Sequence, residues 1–268
     1  MSTTAARDGG PSAAAAAPGV IEVADLHVDF AGVQAVAGAS FAAAPGKITG
    51  LIGPNGAGKS TVLKLISGAI RPSGGRVRYQ GRDITGRPVH WVARQGLIRT
   101  FQLSSEFARL TVLENLLVAA PGQRGSTVAG ALRGRRYWRG QQALLAEQAG
   151  ALLAEFGLAH AADQYAGELS GGQKRLVEIM RALMASPRVL LLDEPLAGVN
   201  PSLRESITGH LMRLRDGGLS MLMVEHELNA VDQCCDSVIV MAQGRVLAEG
   251  SMHQIRANKE VVDAYLLG

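Results

Sequence analysis

A glycine-rich segment followed by a lysine and two hydroxyl residues is the strongest chemical signal in this sequence. It reads Gly-Pro-Asn-Gly-Ala-Gly-Lys-Ser-Thr and satisfies the spacing G-x-x-x-x-G-K-[ST]. Glycines let a backbone fold around phosphate oxygens with several N–H groups pointing inward. Lys59 would then reach the β- and γ-phosphates of a nucleotide, and the Ser60 hydroxyl would bind Mg²⁺. The predicted phosphate loop comprises Gly53, Pro54, Asn55, Gly56, Ala57, Gly58, Lys59, Ser60 and Thr61.

Two adjacent carboxylates, Asp193 and Glu194, directly follow the apolar run at residues 189 to 192. A carboxylate at the end of a buried strand near a phosphate loop is suited to bind Mg²⁺, and the next carboxylate points elsewhere, toward an attacking water. His226 follows another apolar run, at residues 219 to 224, with Glu225 between them. Because the carboxyl ends of parallel strands share one edge of a sheet, we expect His226 near both acids. Without the phosphate loop, these residues would be interpreted as solvated acids and a structural histidine.

A serine and two glycines precede an amphipathic segment in the second half of the chain. Ser170, Gly171, Gly172 and Gln173 stand before apolar residues spaced i, i+3, i+4, i+7 and i+8. This spacing predicts a helix with one apolar face. A serine cap and unobstructed N–H groups at the positive end of a helix form a second site for anions. The alternative interpretation is an ordinary Ser-Gly helix cap.

Strands and helices must position these groups. Residues 20 to 30 and 33 to 44 have the pattern of β-strands, and residues 48 to 52 predict a strand covered on both faces. Residues 59 to 67 predict a helix that begins in the phosphate loop. Buried strands separated by helices indicate an α/β fold with a parallel sheet.

Two insertions separate the phosphate loop from the later strands. Residues 76 to 85 predict a short hairpin around Gln80-Gly81, and therefore a small antiparallel layer. Residues 111 to 167 predict a helical arm, in which Thr111 and Glu114 form a capping-box pattern. The arginine-rich stretch at residues 133 to 139 predicts a solvated connection between helices. Contact of this stretch with membrane headgroups or with a partner is the alternative.

The composition is that of a folded globular protein. Of the 268 residues, 47% are apolar and 19% are charged, which excludes large-scale disorder. The net charge of +4 is a small excess for a dedicated nucleic-acid binder, and no apolar run is long enough to span a membrane. The adjacent residues Cys234 and Cys235 predict buried free thiols in a reducing compartment. The composition of residues 1 to 19 predicts a disordered tail. The spacing of the histidines gives no support for a zinc site.

Taken in order, the segment GPNGAGKST, Gln102, the segments LSGGQ and VLLLDE, and His226 resemble the ATP-binding subunits of ABC transporters. The resemblance covers about residues 20 to 253, which it implies form one ATP-binding domain with a P-loop NTPase core. The implied architecture is a parallel sheet with a small antiparallel β subdomain and a helical subdomain at about residues 104 to 186. Residues 254 to 268 would form a C-terminal helical tail.

The resemblance also implies roles for individual residues. Phe30 resembles the aromatic residue that stacks on adenine, and Gln102 the loop glutamine that senses Mg²⁺ and the membrane partner. Glu194 resembles the general base and His226 the residue that contacts the γ-phosphate, and Lys59 completes the implied catalytic set. The implied metal ligands are Ser60, Gln102 and Asp193. Two chains would form a head-to-tail dimer, with each ATP between the phosphate loop of one subunit and Ser170, Gly171, Gly172 and Gln173 of the other.

A narrower resemblance concerns the segments RTFQ, LTVLENLLVAA, AGVNP and VVDAYLLG. These are similar to segments of the ATPase subunits of branched-chain amino acid importers and of their urea or amide relatives. Asn200 stands where most ABC proteins carry aspartate in the loop that crosses the dimer interface, and this departure fits the importer group.

This narrower resemblance implies an ATPase that energises import, with ATP and Mg²⁺ as cofactors. The chain would lie on the cytoplasmic face of the membrane as a peripheral subunit. Its implied partners are integral membrane permease subunits, a second ATPase subunit that is identical or different, and a solute-binding protein, with no nucleic acid. The alternatives are the ATPase of a lipid-exporting ABC system and a soluble non-transport ABC ATPase.

Overall fold

The computed structural model describes residues 19–100, 107–123 and 135–266. The elements follow one another as β1 (Ile21–Phe30), β2 (Val33–Ala43), β3 (Ile48–Ile52), α1 (Lys59–Ile66), β4 (Gly74–Tyr79), β5 (Arg82–Asp83), α2 (Val89–Arg94), β6 (Leu97–Arg99), α3 (Val112–Ala119), α4 (Arg135–Glu155), α5 (Gly171–Met184), β7 (Val189–Asp193), α6 (Pro201–Asp216), β8 (Ser220–Val224), α7 (Leu228–Cys234), β9 (Ser237–Ala242), β10 (Arg245–Gly250), α8 (Met252–Ala257) and α9 (Lys259–Leu266). Short 3₁₀ turns lie at Ala159–Ala161 and Ala166–Glu168.

The larger sheet has the strand order β10-β9-β3-β8-β7-β6. Strands β9, β3, β8, β7 and β6 are parallel, and β10 is antiparallel to β9 at one edge. Alternate residues of β7 enter two different apolar clusters, with Leu191 on the α1 side and Leu192 on the α5 and α6 side. The sheet is therefore covered on both faces, which explains why its strands read as continuous apolar runs. The predicted α/β fold with a parallel sheet is confirmed.

The second sheet is antiparallel, with the strand order β2-β1-β4-β5. Its β4–β5 hairpin turns at Gln80 and Gly81, whose φ angles of 49° and 74° fit a tight turn. The predicted hairpin and its small antiparallel layer are confirmed. In the structure β4 also pairs with β1, with Ile21 opposite Tyr79, so the layer includes the first two strands.

Helices α3, α4 and α5 lie together beside the larger sheet. The capping box predicted at Thr111 and Glu114 is present at the start of α3. Apolar side chains of the three helices share one cluster with β7 and β8. The prediction of a connection at residues 133 to 139 is wrong for residues 135 to 139, because α4 begins at Arg135.

Several predictions fall at the limits of the described chain. Residues 1–18 of the predicted tail, Gln102 and Arg133 lie outside the described residues.

Cys234 is buried and Cys235 is half-buried, and both are free thiols. In the part of the chain that the structure describes, no helix combines the length and the apolar character needed to cross a bilayer.

Candidate nucleotide site

The phosphate loop connects β3 to α1 and is tightly packed between two other strands. Gly53 and Gly58 have φ angles of 148° and 95°, in the region that favours glycine. A Cβ atom on Gly53 would lie 2.0 Å from the carbonyl oxygen of Met241, and one on Gly58 would lie 2.5 Å from that of Ala35. Only glycine fits at these two positions, so the loop follows a fixed path from the sheet edge into the helix.

Lys59 closes the loop on itself. Its Nζ donates to the carbonyl oxygens of Gly53 and Pro54, both at 2.8 Å. Burial lowers the pKa of the Lys59 ammonium, and the negative charges of Glu194 and Asp193 oppose that shift. The ammonium group therefore stands inside the loop with two neutral acceptors that phosphate oxygens could replace.

Asp193 lies at the end of β7 and joins two side chains from other elements. Its Oδ1 accepts a hydrogen bond from the Ser60 hydroxyl at 3.0 Å, and its Oδ2 accepts one from Arg99 Nη2 at 2.7 Å. Hydroxyl and carboxylate oxygens are the ligands that Mg²⁺ prefers. One carboxylate and one hydroxyl leave the remaining positions to water and phosphate oxygens, so this pair fits a nucleotide-bound magnesium ion.

Glu194 and His226 contact each other at the same sheet edge. His226 Nε2 lies 2.7 Å from Glu194 Oε1, and both side chains are partly exposed. The φ angle of Glu194 is 51°, a conformation that costs a non-glycine residue about 1–3 kcal/mol. The peptide N–H of Glu194 donates to the carbonyl oxygen of Val224 at 3.0 Å. The ends of β7 and β8 thus hold Glu194, whose backbone is strained, against His226, as the shared edge of parallel strands predicts.

A cleft of about 420 Å³ opens beside these groups. It is bounded by α1, the ends of β6 and β7, and α5. Its lining consists of hydroxyl and charged side chains, contributed by Ser60, Lys64, Arg99, Thr100, Arg175, Glu178, Asp193 and Glu194. Such a lining suits a charged, hydrated ligand better than an apolar one.

Ser170 caps α5 in a reciprocal arrangement with Gln173. The Ser170 hydroxyl accepts from the Gln173 N–H at 3.3 Å, and Gln173 Oε1 accepts from the Ser170 N–H at 3.0 Å. Ser170 and Gly171 are exposed. Within the described residues, no hydrogen bond joins this segment to the phosphate loop of the same chain. The helix start therefore faces outward as a separate surface.

Two further predicted positions lie near the site. Phe30 is 45% exposed at the end of β1, opposite Val33 of the strand that packs on Gly58. Asn200 caps α6, because its Oδ1 accepts from the Leu203 N–H at 2.9 Å. The sequence indicates Arg99 only as part of the RTFQ segment. Its ion pair with Asp193 was not predicted.

The chain is similar to proteins of one known family along almost its whole length. Residues 36–197 match the model of the ABC transporter family, and residues 245–266 match that of the branched-chain amino acid ATP-binding cassette transporters. A probable branched-chain amino acid transport ATP-binding protein LivG from Archaeoglobus fulgidus is 39% identical, covering 92% of this chain and 95% of the relative. The high-affinity branched-chain amino acid transport ATP-binding protein BraF from Pseudomonas aeruginosa is 38% identical, covering 92% and 97%.

Solved structures agree with these relatives. A crystal structure of the ADP conformation of an ATP-binding cassette of an ABC transporter has a TM-score of 0.81 and 35% identity, covering 92% of this chain and 98% of that chain. A nucleotide-free ATP-binding cassette gives the same TM-score of 0.81. The fold and the phosphate loop thus define an ABC-type ATPase.

The chain belongs to the ABC transporter family, and within it to the group of branched-chain amino acid transport ATP-binding proteins. It is the ATP-binding and ATP-hydrolysing subunit of a membrane transporter and acts with membrane permease subunits. The predicted family and ATPase activity are confirmed. The lipid-exporting and non-transport alternatives are not favoured.

Proposed function

We propose that this ATPase energises the import of branched-chain amino acids or of related small polar solutes such as urea and amides. The observation that carries the proposal is the similarity to branched-chain transport subunits along almost the whole chain, including the C-terminal segment. The chain lies on the cytoplasmic face of the membrane in this proposal. A second ATPase subunit and a solute-binding protein complete the system, and no nucleic acid takes part.

The proposal assigns the nucleotide phosphates to the loop at residues 53 to 61. Lys59 exchanges its two carbonyl acceptors for oxygens of the β- and γ-phosphates. Ser60 and Asp193, with Gln102, hold Mg²⁺, which neutralises the phosphate charge when bound. The contact between Ser60 and Asp193 supports this assignment. Phe30 stacks on adenine, and its exposure leaves a ring face open for that contact.

Glu194 acts as the general base and His226 contacts the γ-phosphate. The Glu194 carboxylate orients the attacking water and accepts its proton. His226 holds the carboxylate through the 2.7 Å contact until a nucleotide is bound. The segment at residues 170 to 173 then contacts the γ-phosphate of the ATP bound by the other subunit, through the N–H groups of Gly171 and Gly172, which the capping box does not use.

The division of the chain is also a proposal. An ATP-binding domain extends over residues 20 to 253 and contains a helical subdomain at about residues 104 to 186. Helices α3, α4 and α5 lie within those limits, which supports the division. A C-terminal tail follows from residue 254, and residues 1 to 19 precede the domain as a disordered segment.

The proposed function is tested in vesicles that contain the chain with its permeases and second ATPase. Labelled leucine, urea and a lipid substrate are supplied separately, with and without the solute-binding protein, and ATP hydrolysis and uptake are measured. We expect leucine or urea to accumulate only with ATP. A Glu194→Gln chain should bind ATP and lose about 10²- to 10⁴-fold in turnover. Uptake of neither solute, or lipid movement instead, would contradict the proposal.

A further inference from the structure

Glu225 is a buried carboxylate between β8 and His226 for which the proposed mechanism has no use. The residue is only 3% exposed, although a glutamate at a strand end normally reaches solvent. Oε1 accepts a hydrogen bond from the backbone N–H of Leu196 at 2.8 Å, and Oε2 accepts one from the backbone N–H of His226 at 3.2 Å. A single buried side chain thus joins the loop after β7 to the loop after β8.

The two donors stand close to the reacting groups. Leu196 lies two residues after Glu194, in the turn that holds Glu194 at a φ of 51°. His226 is the residue whose ring contacts Glu194 at 2.7 Å. The Glu225 side chain therefore binds the backbone on both sides of the Glu194–His226 pair, and its two donors are backbone N–H groups whose positions do not depend on the rotamers of Leu196 and His226.

A second set of contacts, made by Arg204, also joins the loop after β7 to the loop after β8, farther from the site. Arg204 of α6 forms an ion pair with Glu227, and its Nη2 donates to the carbonyl oxygen of Val199 at 3.3 Å. The arginine pair is half-exposed, whereas the Glu225 contacts are buried. Buried hydrogen bonds to a charged group are stronger than exposed ones, so the Glu225 contacts should hold the two loops more firmly than the Arg204 contacts do.

We propose that Glu225 is a positioning residue for ATP hydrolysis, which fixes the Glu194 carboxylate and the His226 ring in one geometry by holding both backbones. The proposal rests on the role of Glu194 as general base. Because the residue is buried, Glu225 acts in this proposal through its two backbone partners. Burial raises the pKa of the Glu225 carboxyl, and its two backbone N–H donors oppose that shift by stabilising the ionised form.

Two substitutions of Glu225, to glutamine and to alanine, distinguish the effect of side-chain volume from the effect of its hydrogen bonds. Glutamine keeps the volume and one acceptor, but its NH₂ group must face one of the two N–H donors. Alanine removes both acceptors and leaves two buried donors unpaired. We expect Glu225→Ala to lower kcat at least about tenfold and Glu225→Gln to give an intermediate loss, because misplacement of a catalytic group by about 1 Å costs on that scale. ATP affinity should change less than about twofold, since the phosphate loop is not altered.

The experiment measures kcat, the KM for ATP and ATP affinity for the complete transporter carrying each variant. Ile207→Val, a buried change in the middle of α6, controls for a general loss of stability. Urea unfolding shows which variants are folded. Retained ATP affinity with reduced kcat in the Ala and Gln variants, and normal kcat in Ile207→Val, supports the proposal. Turnover within about twofold of wild type in Glu225→Ala overturns it, as does a parallel loss of affinity and turnover.

A double variant distinguishes this proposal from the proposed function itself. If Glu225 acts through Glu194, adding Glu225→Ala to Glu194→Gln should lower single-turnover hydrolysis by less than about twofold further. Full additivity of the two losses overturns the positioning role. An active Glu194→Gln chain would instead refute the assignment of the base. An inactive Glu194→Gln chain beside a normal Glu225→Ala chain refutes only the role of Glu225.

Discussion

The guanidinium of Arg99 donates to Asp193 at 2.7 Å, across a span of 94 residues in sequence. Arg99 ends β6 and Asp193 ends β7, and the two strands are parallel neighbours. The Arg99 guanidinium therefore forms an ion pair with the carboxylate that is proposed to hold Mg²⁺. Before nucleotide arrives, Arg99 compensates a carboxylate whose side chain is only 21% exposed.

Replacement of Arg99 by glutamine should destabilise the nucleotide-free protein. The half-buried Asp193 carboxylate would lose its charged partner, and such losses cost about 1–3 kcal/mol. Urea unfolding in the presence of EDTA measures the loss, and Mg²⁺ with ATP should recover part of it. Arg94→Gln, an exposed change on α2, is the matched control. If Arg99→Gln and Arg94→Gln unfold at the same urea concentration, the ion pair has no stabilising role.

Replacement of Lys59 by alanine should weaken ATP binding as well as hydrolysis. The change removes the buried ammonium that would face the β- and γ-phosphates, and hydrogen bonds to charged groups contribute about 1.5–3 kcal/mol. This loss corresponds to roughly a 10- to 100-fold higher Kd. Titration with a fluorescent ATP analogue measures it. Lys47→Ala, at the opposite end of β3, should bind normally, and unchanged affinity in Lys59→Ala would contradict the phosphate-loop assignment.

The parts of the site that could be predicted are those encoded by neighbours in sequence. The phosphate loop, the capping pair Thr111 and Glu114, and the strand that ends at Asp193 each depend on short spacings. Local spacing decides helix caps and turns, because the groups that bond are only a few residues apart. These elements are in the structure where the sequence predicts them.

The missed features depend on pairing between distant segments. The β6 strand has three residues, Leu97–Arg99, which is too short to show a periodic pattern. The β10 strand is half-exposed at the sheet edge and lacks a continuous apolar run. The contacts of Glu225 with Leu196 and of Arg99 with Asp193 join residues 29 and 94 positions apart. No local spacing encodes such contacts, because they follow from the order of strands in the sheet.

His210 should make the stability of the protein depend on pH. Its ring stacks on Phe156 at 4.1 Å between centroids, and Arg213 Nη2 donates to its Nδ1 at 2.7 Å. Arginine has no acceptor, so this contact requires an unprotonated Nδ1. Burial first, and then the charge of Arg213, lower the pKa of His210 below its usual 6.5, whereas Glu155 opposes the shift.

The sign of the dependence follows from the lowered pKa. As the pH falls below 6.5, the unfolded chain binds a proton at this histidine before the folded chain does, so stability is lost in that range. One proton sets a limit of about 1.4 kcal/mol per pH unit. Urea unfolding between pH 5 and 7.5 should show a smaller loss for His210→Gln than for wild type. The exposed His160→Gln control should follow wild type, and equal slopes in all three proteins would refute the assignment.

The contact between subunits can be tested at Gly171, because the structure separates this residue from Gly172. A Cβ atom on Gly172 would lie 2.1 Å from Cδ2 of Leu203 in the same chain, so an aspartate there would also displace the Leu203 side chain of α6. A Cβ on Gly171 meets nothing within 4 Å. An acidic side chain at the first turn of a helix is moreover favourable. Gly171→Asp therefore adds a negative charge at an exposed position without damage to its own chain.

We expect Gly171→Asp to keep ATP binding in its own phosphate loop and to inactivate the site of the opposing subunit, where the charge faces the γ-phosphate. Mixing this variant with Lys59→Ala tests the arrangement in homodimers of the isolated chain. A mixed dimer has one site with both lesions and one site with neither, so hydrolysis should return to a fraction of the wild-type rate. Dimer formation is followed with two different affinity tags. If mixed dimers form and remain as inactive as each variant alone, the helix start at Ser170 does not act on the ATP of the opposing subunit.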